Sequence, residues 1–473
     1  MLRYLRIYVL LFFPFTVYAQ GGHYWTESFG TRSMLLNGVV IGSVEDLGAV
    51  YYNPARISQL SSPAFVISGQ VYEYKNTNIK NGLGDGINVQ HSDFGGGPSL
   101  VSGTFKLKFL EGHHFAYAFL TRTQADNTFN FSINKFGDFI KSFPGEEYFS
   151  GEISSTAKLK DEWIGLSWSY PINEKISIGF SGFYSGLDRE VFLKLQLQAY
   201  QPDSANTGMY IEKRAYSFKT SGVLGKLGVS WQDEKYSIGL TVTTPKLQAF
   251  GSGTTNYETF LAGVDTTGNG VTDDVYVIDS QEDLTVSRHS PWAIGIGGGI
   301  KMGRSILHLS AEWFSAVPLY KILESETFIA QSTGTEIQQT VVEDLNSVLN
   351  YGLGLEVFVN DKISVFGSFA TDFSASSGDS ERFSELKNVV NNTTFRADIY
   401  HMGFGMDIKT KFADLTIGAT YANSKETVDR TIEINKGNDS VSSTADIRYS
   451  RWLFLLGFEF PFLDKAKKNL EAN

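Results

Sequence analysis

Residues 164–184 read IGLSWSYPINEKISIGFSGFY, and this stretch decides the fold. Apolar and small side chains alternate from Ile164 to Tyr170, a short polar turn follows, and the alternation resumes at Ile176. A period of two is that of a β-strand with one apolar face and one polar face. Similar hairpins occur at 225–244, 351–370 and 401–421. Alternating segments of about ten residues separated by turns are typical of a transmembrane β-barrel of the outer-membrane type.

The chain contains fourteen such segments, and the connections between them alternate in length. The segments are 64–74, 99–109, 114–122, 156–170, 176–187, 216–231, 236–248, 285–300, 305–316, 347–359, 363–372, 396–409, 413–422 and 447–460. The long connections lie around 75–98, 123–155, 188–215, 249–284, 317–346, 373–395 and 423–446. Short turns face the periplasm and long loops face outside in such barrels. We therefore predict an all-β fold, a 14-stranded antiparallel barrel over 63–462 with both termini periplasmic.

The first nineteen residues have the pattern of a secretory signal peptide. Arg3 and Arg6 form a basic start, an apolar run follows, and Val17-Tyr18-Ala19 is a small-x-small cleavage site. We predict export with cleavage after residue 19 and insertion in a bacterial outer membrane, where the outer wall contacts lipid. Residues 463–473, after the last strand, are predicted to be a periplasmic tail.

Composition and motifs exclude several classes of function. The formal charge of −11 becomes −13 when Arg3 and Arg6 are removed, and no basic patch is present, so nucleic acid is not an expected partner. The chain has no cysteine, which excludes disulfides, a lipoprotein anchor, iron–sulfur clusters and thiol nucleophiles. Metalloprotease, serine-hydrolase, P-loop and dinucleotide motifs are missing from the sequence. We expect a protein that is not an enzyme and that requires no cofactor.

The segment before the first strand, residues 20–62, does not alternate. It contains Gly30-Thr31-Arg32, small residues around Gly38 and Gly42, the acidic pair Glu45-Asp46 and the word Asn53-Pro54-Ala55 just before strand one. This segment resembles the N-terminal hatch, or plug, of the FadL family of outer-membrane transporters for hydrophobic compounds. The resemblance implies that Arg32, Glu45, Asp46, Asn53, Pro54 and Ala55 are hatch residues.

A second resemblance to the FadL family lies in 288–315, a Pro-led strand followed by one that ends near Trp313. The resemblance implies transport of small hydrophobic molecules such as long-chain fatty acids, past the hatch and out through a kinked strand. Barrel width agrees with a plug, because about eight strands are filled by side chains whereas about sixteen to eighteen leave an aqueous channel. The sequence does not indicate which strand is kinked.

A second class of function uses the same fold. A FadL-like barrel can serve as a scaffold or shuttle subunit of an outer-membrane complex for secretion or barrel assembly, because fold does not determine function. The long external loops leave room for protein partners. An apolar lumen pocket with an outward groove would favour transport, whereas a sealed lumen under a crown of loops would favour the scaffold.

Residues 265–274, DTTGNGVTDD, resemble the calcium loops of thrombospondin-type repeats. Calcium loops supply oxygens from positions 1, 3, 5 and 7, with Gly at position 6. The predicted ligands are Asp265, Thr267, Asn269, Val271 and Asp273. Tyr276 stands at position 12 in place of an acid, and Asp274 or Asp279 could substitute. The alternative is a turn rich in Gly and Asp without a metal.

Six polar residues fall on the inward face of the predicted strands: Lys226, His308, Glu312, Glu356, His401 and Asp407. They could form a polar track or a headgroup site for the substrate. The alternative, which we favour, is a network that binds the hatch, because barrel interiors are normally polar.

Overall fold

One continuous antiparallel sheet forms the wall of the protein. The computed structural model describes residues 22–60, 65–81, 88–138, 140, 143–265, 269–377, 389–392, 397–429 and 444–460. The predicted signal peptide and the predicted C-terminal tail lie outside these ranges, so both stay predictions. In the described ranges no helix is long and apolar enough to cross a membrane.

Short helices come first and strands follow. The helices are α1 (Arg32–Leu35), α2 (Ala49–Tyr52) and the 3-10 helix η1 (Pro54–Gln59). The strands are β1 (Phe65–Lys80), β2 (Val89–Phe105), β3 (His114–Gly137), β4 (Glu147–Pro171), β5 (Ile176–Tyr200), β6 (Thr207–Gln232), β7 (Tyr236–Thr243), β8 (Leu247–Ala262), β9 (Val275–Thr285), β10 (Ala293–Met302), β11 (Ser305–Phe314), β12 (Val317–Glu324), β13 (Phe328–Ile329), β14 (Glu336–Ile337), β15 (Thr340–Leu345), β16 (Val348–Phe358), β17 (Ile363–Asp372), β18 (Val389–Asn391), β19 (Ile399–Lys409), β20 (Asp414–Asp429) and β21 (Thr444–Phe460).

The sheet closes on itself, because β1 pairs with β21 and neighbouring strands pair all the way round. β7 and β8 are two parts of one barrel strand, and so are β9 and β10. Counted in this way, the wall has fourteen antiparallel strands. The predicted 14-stranded barrel is confirmed.

Alternation along the strands sorts side chains between the two faces. In β4, Leu166 is 64% exposed on the outside whereas Ser167 is 3% exposed and faces the lumen. Exposed outward apolar residues recur at Ile238, Leu353 and Phe404 in other strands. An apolar outer face with small or polar inward residues is that of a membrane-spanning barrel.

The barrel is much taller on one side than on the other. β3, β4, β5 and β6 have 24 to 26 residues, whereas β10, β11, β16, β17 and β19 have 10 or 11. A membrane crossing uses about 9–11 residues, so the long strands project far outside. The expectation of long loops around 123–155, 188–215 and 249–284 was therefore wrong for most of their length. Outside the membrane the outer face of a strand meets water in place of lipid, so its side chains need not be apolar, although inner residues such as Ile153 and Leu193 stay buried.

A second sheet, which we call the external sheet, consists of β12, β15 and β18. Its residues Ile322, Leu323 and Val341 pack in one buried cluster with Tyr216 and Phe218. These two wall residues lie on β6 with inward-facing side chains. The external sheet therefore sits inside the outer mouth of the barrel.

The two ends of β5 provide a test of orientation. Glu174 is exposed in the short turn before β5, and Asp203 is exposed in the turn after it. In intact cells we expect a membrane-impermeant maleimide to label an Asp203→Cys variant and to spare Glu174→Cys, because only the first site faces outside. Lysed cells are the control, since both thiols should react there. Equal labelling of both variants in intact cells would contradict the topology.

Candidate functional site: the hatch in the lumen

The predicted hatch lies inside the barrel. Residues 22–60 are almost entirely buried, and Phe29, Met34 and Leu35 have no exposed surface. Met34 and Leu35 belong to a buried cluster that also contains the inward wall residues Leu120 and Leu455. The hatch core is thus shared with the wall.

Asp46 holds the hatch segment together internally. Its carboxylate accepts hydrogen bonds from the backbone N–H of Ser33 at 2.8 Å, from the Ser33 hydroxyl at 2.9 Å and from the N–H of Gly48 at 2.8 Å. Burial raises the pKa of this carboxyl, against the opposing effect of those hydrogen bonds. Gly30 has φ +92° and lies so close that a Cβ there would come within 2.5 Å of Asp46 Oδ1, so glycine is required.

Arg32 lies on the hatch surface next to β16, and the exposed residue Glu45 lies beside it. Arg32 forms ion pairs with Glu45 in the hatch and with Glu356 in the wall. Arg32 thus connects the hatch to the wall, whereas Asp46 acts within the hatch.

Asn53, Pro54 and Ala55 end the hatch and fasten it to the wall. The Asn53 side-chain amide donates to the carbonyl of Ile41 at 2.9 Å and to that of Val229 in β6 at 3.2 Å. Its Oδ1 accepts from the N–H of Ala55 and so caps η1, in which Pro54 is the first residue. Proline suits this position because its missing N–H would have no partner there anyway.

Wall serines satisfy the carbonyl groups of the hatch. Ser169 and Ser177 each donate to the carbonyl of Ala55 at 2.8 Å. Ser181 donates to Val50 at 2.7 Å, and Ser368 donates to Leu35 at 2.8 Å. Irregular backbone at membrane depth needs partners of this kind, because the hydrocarbon region offers none.

The glycines of β10 allow the hatch to approach the wall. A Cβ at Gly297 would lie 2.8 Å from the backbone N of Gly42, and a Cβ at Gly42 would lie 2.2 Å from the carbonyl oxygen of Gly297. Gly299 has Ser43 at the same close range. The two backbones therefore touch, with no room for side chains between them.

The six predicted lumen residues are all buried and lie on inward faces. Glu312 accepts from the indole N–H of Trp25 at 2.8 Å and lies 3.6 Å from the ammonium of Lys226. His308 Nδ1 and the Ser43 hydroxyl are 2.7 Å apart. These residues contact the hatch directly, as Glu356 does through Arg32.

The other two predicted lumen residues, His401 and Asp407, have their closest polar partners in the wall. His401 lies 3.9 Å from Asp372, and Asp407 accepts from the Thr416 hydroxyl within the wall. Between the hatch and the wall, the described residues leave a cavity of about 10 Å³ near Trp25, Lys226 and Glu312. Such a space holds roughly one water molecule. The contacts of Glu312, His308 and Glu356 are those of a network that binds the hatch.

Asp372 is a hatch anchor that the sequence did not indicate. Its carboxylate accepts from the backbone N–H of Tyr24 at 2.9 Å, from that of Trp25 at 3.0 Å and from the Thr26 hydroxyl at 2.7 Å. Arg451 plays a similar part by donating to Glu27 at 2.8 Å. The sequence could show only that Asp372 is a charged residue at an inward position of a strand. It could not show the contact with Tyr24, because the two residues lie hundreds of positions apart.

The predicted calcium ligands fall in the connection between β8 and β9. The Asp265 carboxylate accepts from the N–H of Gly270 at 2.7 Å, and Asn269 Oδ1 accepts from the N–H of Val271 at 2.8 Å. Gly270 has φ +82°, which suits the sharp turn expected at position 6. Thr267 lies outside the described residues, and among those described no group of three or more His, Asp or Glu could hold a metal ion. The site, including Asp273, stays a prediction.

Known structures share this fold. No protein-family model and no curated protein matches the chain. Solved structures do: a Pseudomonas aeruginosa FadL homologue is 12% identical over 93% of this chain and 100% of that chain, with a TM-score of 0.55. The Pseudomonas putida toluene transporter TodX is 11% identical over 95% and 100%, with a TM-score of 0.57. The CymD monoaromatic hydrocarbon channel is 12% identical over 92% and 98%, with a TM-score of 0.54. The resemblance to FadL-type plugged barrels is confirmed for the fold.

The contact between Gly42 and Gly297 provides a test of the hatch. In a Gly297→Val variant we expect the hatch to be displaced, because overpacking costs about 1–3 kcal/mol and neither backbone can yield. Single-channel conductance in planar bilayers should rise, and cells should become more sensitive to large antibiotics. Gly367→Val is the control, since nothing lies within 4 Å of a Cβ there. Unchanged conductance in a folded Gly297→Val barrel would show that this contact does not hold the hatch.

The loop at 265–274 provides a test of calcium binding. A bound ion would stabilise the closed loop by about 2.7 kcal/mol at a hundredfold excess over Kd. We expect calcium to slow proteolysis of this loop in the wild type, and Asp265→Ala to remove the effect. Asp203→Ala, in another outer turn, should keep the calcium effect. Equal cleavage of the wild type with calcium and with chelator would refute the site.

Proposed function

We propose that this protein carries small hydrophobic molecules across the outer membrane. The observation that supports the proposal most is a closed fourteen-stranded barrel whose lumen is filled by an N-terminal hatch. Barrels of this build include the toluene transporter TodX and the CymD monoaromatic hydrocarbon channel. The substrate classes to test first are therefore long-chain fatty acids and monoaromatic hydrocarbons.

The way in which the hatch is fastened fits such a role. Some of its contacts with the wall are single hydrogen bonds, such as those from Ser181, Ser368 and Asn53. The first residues of the hatch are held more firmly, by the buried charges of Asp372 and Arg451. Because a single hydrogen bond contributes only about 0.5–1.5 kcal/mol net, the parts of the hatch held by such bonds can rearrange more easily than its first residues. The cavity of about 10 Å³ beside Trp25 is too small for any substrate, so a molecule could pass at this point only after such a rearrangement.

A second candidate function is a scaffold or shuttle in an outer-membrane complex. The observation that favours it is a set of exposed aromatic side chains at the outer ends of the long strands. Phe136, Tyr148 and Tyr200 are all about half exposed, and the rings of Phe136 and Tyr148 lie 4.8 Å apart. Exposed aromatic groups above a polar surface are frequent in protein interfaces.

The two functions predict different phenotypes. A strain that lacks the protein should take up a labelled fatty acid or toluene several-fold more slowly, and the wild-type gene should restore uptake. Asn53→Ala should restore it poorly, because the hatch loses its bonds to Ile41 and Val229 and its cap on η1.

Asn173→Ala is the matched control for that experiment. Asn173 also caps backbone N–H groups, those of Lys175 and Ile176, but it does so in an exposed turn far from the hatch. It should restore uptake fully. Normal uptake of every apolar compound in the deletion strain, together with loss of surface proteins, would favour the scaffold.

A further inference from the structure

The end of the barrel that carries the short turns differs in charge from the rest of the chain. Six turns join neighbouring strands there, and with the adjoining strand ends they span 106–113, 172–175, 233–235, 301–304, 359–362 and 409–413. Together they contain nine Lys or Arg and five Asp or Glu, whereas the whole chain has a formal charge of −11. In barrels of this type the short turns face the periplasm. The periplasmic rim is therefore positive on an acidic protein.

The excess of positive charge lies in one half of the rim. The turns 301–304, 359–362 and 409–413 contain five basic side chains and one acid, Asp361. The basic residues are Lys301, Arg304, Lys362, Lys409 and Lys411. The other three turns contain four basic and four acidic residues, so their charges cancel. We call the three positive turns the basic arc.

The three turns of the basic arc lie side by side. The N–H of Phe358 donates to the carbonyl of Arg304 at 2.8 Å, and the N–H of Lys409 donates to the carbonyl of Lys362 at 2.8 Å. The strands that these turns join, β10, β11, β16, β17, β19 and β20, are consecutive neighbours in the wall. The five cations therefore belong to one continuous surface.

The cations of the basic arc are accessible to a ligand. All five residues are exposed. Within the described ranges, neither Arg304 nor Lys362 forms an ion pair with a carboxylate. In the neutral half of the rim, by contrast, the ammonium of Lys175 lies 3.9 Å from the carboxylate of Asp233. The arc therefore keeps a positive charge that the other half has neutralised.

The acids at the strand ends beside the basic arc face away from lipid. Asp414 of β20 and Glu459 of β21 are opposite each other in register. Glu459 accepts a hydrogen bond from the Thr31 hydroxyl of the hatch at 3.2 Å, so these two positions face the lumen.

Each turn of the basic arc also exposes one large apolar side chain. Met302, Val359 and Phe412 are 48%, 50% and 79% exposed. Met302 lies on the same strand face as the lipid-facing Ile296, and Val359 follows Leu355 in the same way. Apolar side chains next to Lys and Arg are typical of surfaces that bind at the boundary between headgroups and acyl chains.

Strand length sets the depth of the basic arc in the membrane. β10, β11, β16, β17 and β19 have 10 or 11 residues. A membrane crossing uses about 9–11 residues, so both ends of these strands lie at the level of the lipid headgroups. The phosphates of the periplasmic leaflet are therefore within reach of the Lys and Arg side chains of the arc.

We propose that the basic arc binds anionic phospholipids of the periplasmic leaflet. Its cations contact the phosphates, and Met302, Val359 and Phe412 lie among the upper parts of the acyl chains. A lipid fits this surface better than an acidic protein does, because the apolar side chains continue the lipid-facing wall. The binding does not depend on the proposed transport function, and it can be measured without a transported substrate.

Lipid binding to the purified protein tests the proposal. Native mass spectrometry in a mild detergent counts bound lipids while phosphatidylglycerol or phosphatidylcholine with the same acyl chains is added. We expect the wild type to bind phosphatidylglycerol at least about tenfold more tightly, because each Lys or Arg near an anionic lipid surface adds roughly fivefold. In an Arg304→Gln/Lys362→Gln/Lys411→Gln variant we expect the preference to fall to within about twofold.

The matched control is Lys108→Gln/Lys175→Gln/Lys235→Gln, which removes three turn cations from the neutral half of the rim. It should keep the preference of the wild type. Equal binding of the two lipids by the wild type would overturn the proposal and favour an acidic protein as the partner of the arc. Equal loss of preference in both triple variants would also overturn it, because the charge of the whole rim would then attract the lipid.

Two further measurements separate the headgroup from the acyl chains. Phe412→Ser should weaken the binding of both lipids by a similar factor and leave their ratio unchanged, since Phe412 contacts chains and not phosphate. Glycerol phosphate at the concentration of the lipid should not displace phosphatidylglycerol, because it has no chains. Displacement would show a site for free phosphate esters and would overturn the assignment to lipid.

A bilayer provides the last test. The wild type and the two triple variants are placed in nanodiscs of equal parts phosphatidylglycerol and phosphatidylcholine, extracted with detergent, and analysed for the lipid that stays bound. We expect phosphatidylglycerol to be enriched with the wild type and with the control variant, and both lipids to be retained equally with the Arg304→Gln/Lys362→Gln/Lys411→Gln variant. Equal enrichment with all three proteins would refute the basic arc as the binding surface.

Discussion

Backbone N–H and carbonyl groups at membrane depth cannot be left facing lipid, because the hydrocarbon region supplies no hydrogen-bond partner. The rest of this structure depends on that constraint. It requires the wall to close, which β1 and β21 do, since an open edge would leave a row of unpaired groups. It also explains why the lumen face carries small hydroxyl residues such as Ser177 and Ser181. These side chains serve as partners for a hatch whose own backbone is irregular.

The same constraint fixes how close the hatch lies to the wall. A serine hydroxyl reaches a hatch carbonyl only if the two backbones approach, and the approach between Gly42 and Gly297 leaves no room for a Cβ. The small residues on the strands and those in the hatch are therefore needed for the same reason, which is the close approach of the two backbones. Buried charges serve the same purpose at the start of the hatch. There Asp372 accepts hydrogen bonds from N–H groups that no helix or strand pairs.

The alternating pattern predicted the membrane-spanning half of the molecule well, because lipid on one side and the lumen on the other impose a period of two. The pattern failed to predict the strands beyond the membrane, where lipid no longer covers the outer face. The outer parts of β3 to β6 bury residues such as Ile153 and Leu193 on the inner face but meet water on the outer face, so they lack the apolar outer face that marks a spanning strand. The hatch was predicted as a segment, and its inward polar wall residues were placed correctly. Pairs such as Asp372 with Tyr24 and Arg288 with Glu343 were not predicted. Contacts between residues far apart in the chain leave no repeating pattern in the local sequence.

The break in the ladder between the pairs Thr243–Ala293 and Ser252–Thr285 shows how side chains can replace backbone partners. On the edge that faces the break, the Gln248 amide donates to the carbonyl of Val286, and Gln248 Oε1 accepts from the N–H of Arg288. On the opposite edge of the same segment, the N–H of Ser287 donates to the carbonyl of Ile322 in β12. One glutamine therefore does for this short stretch what serine hydroxyls do for the hatch, because in both places a side chain reaches a backbone group that no neighbouring strand can pair.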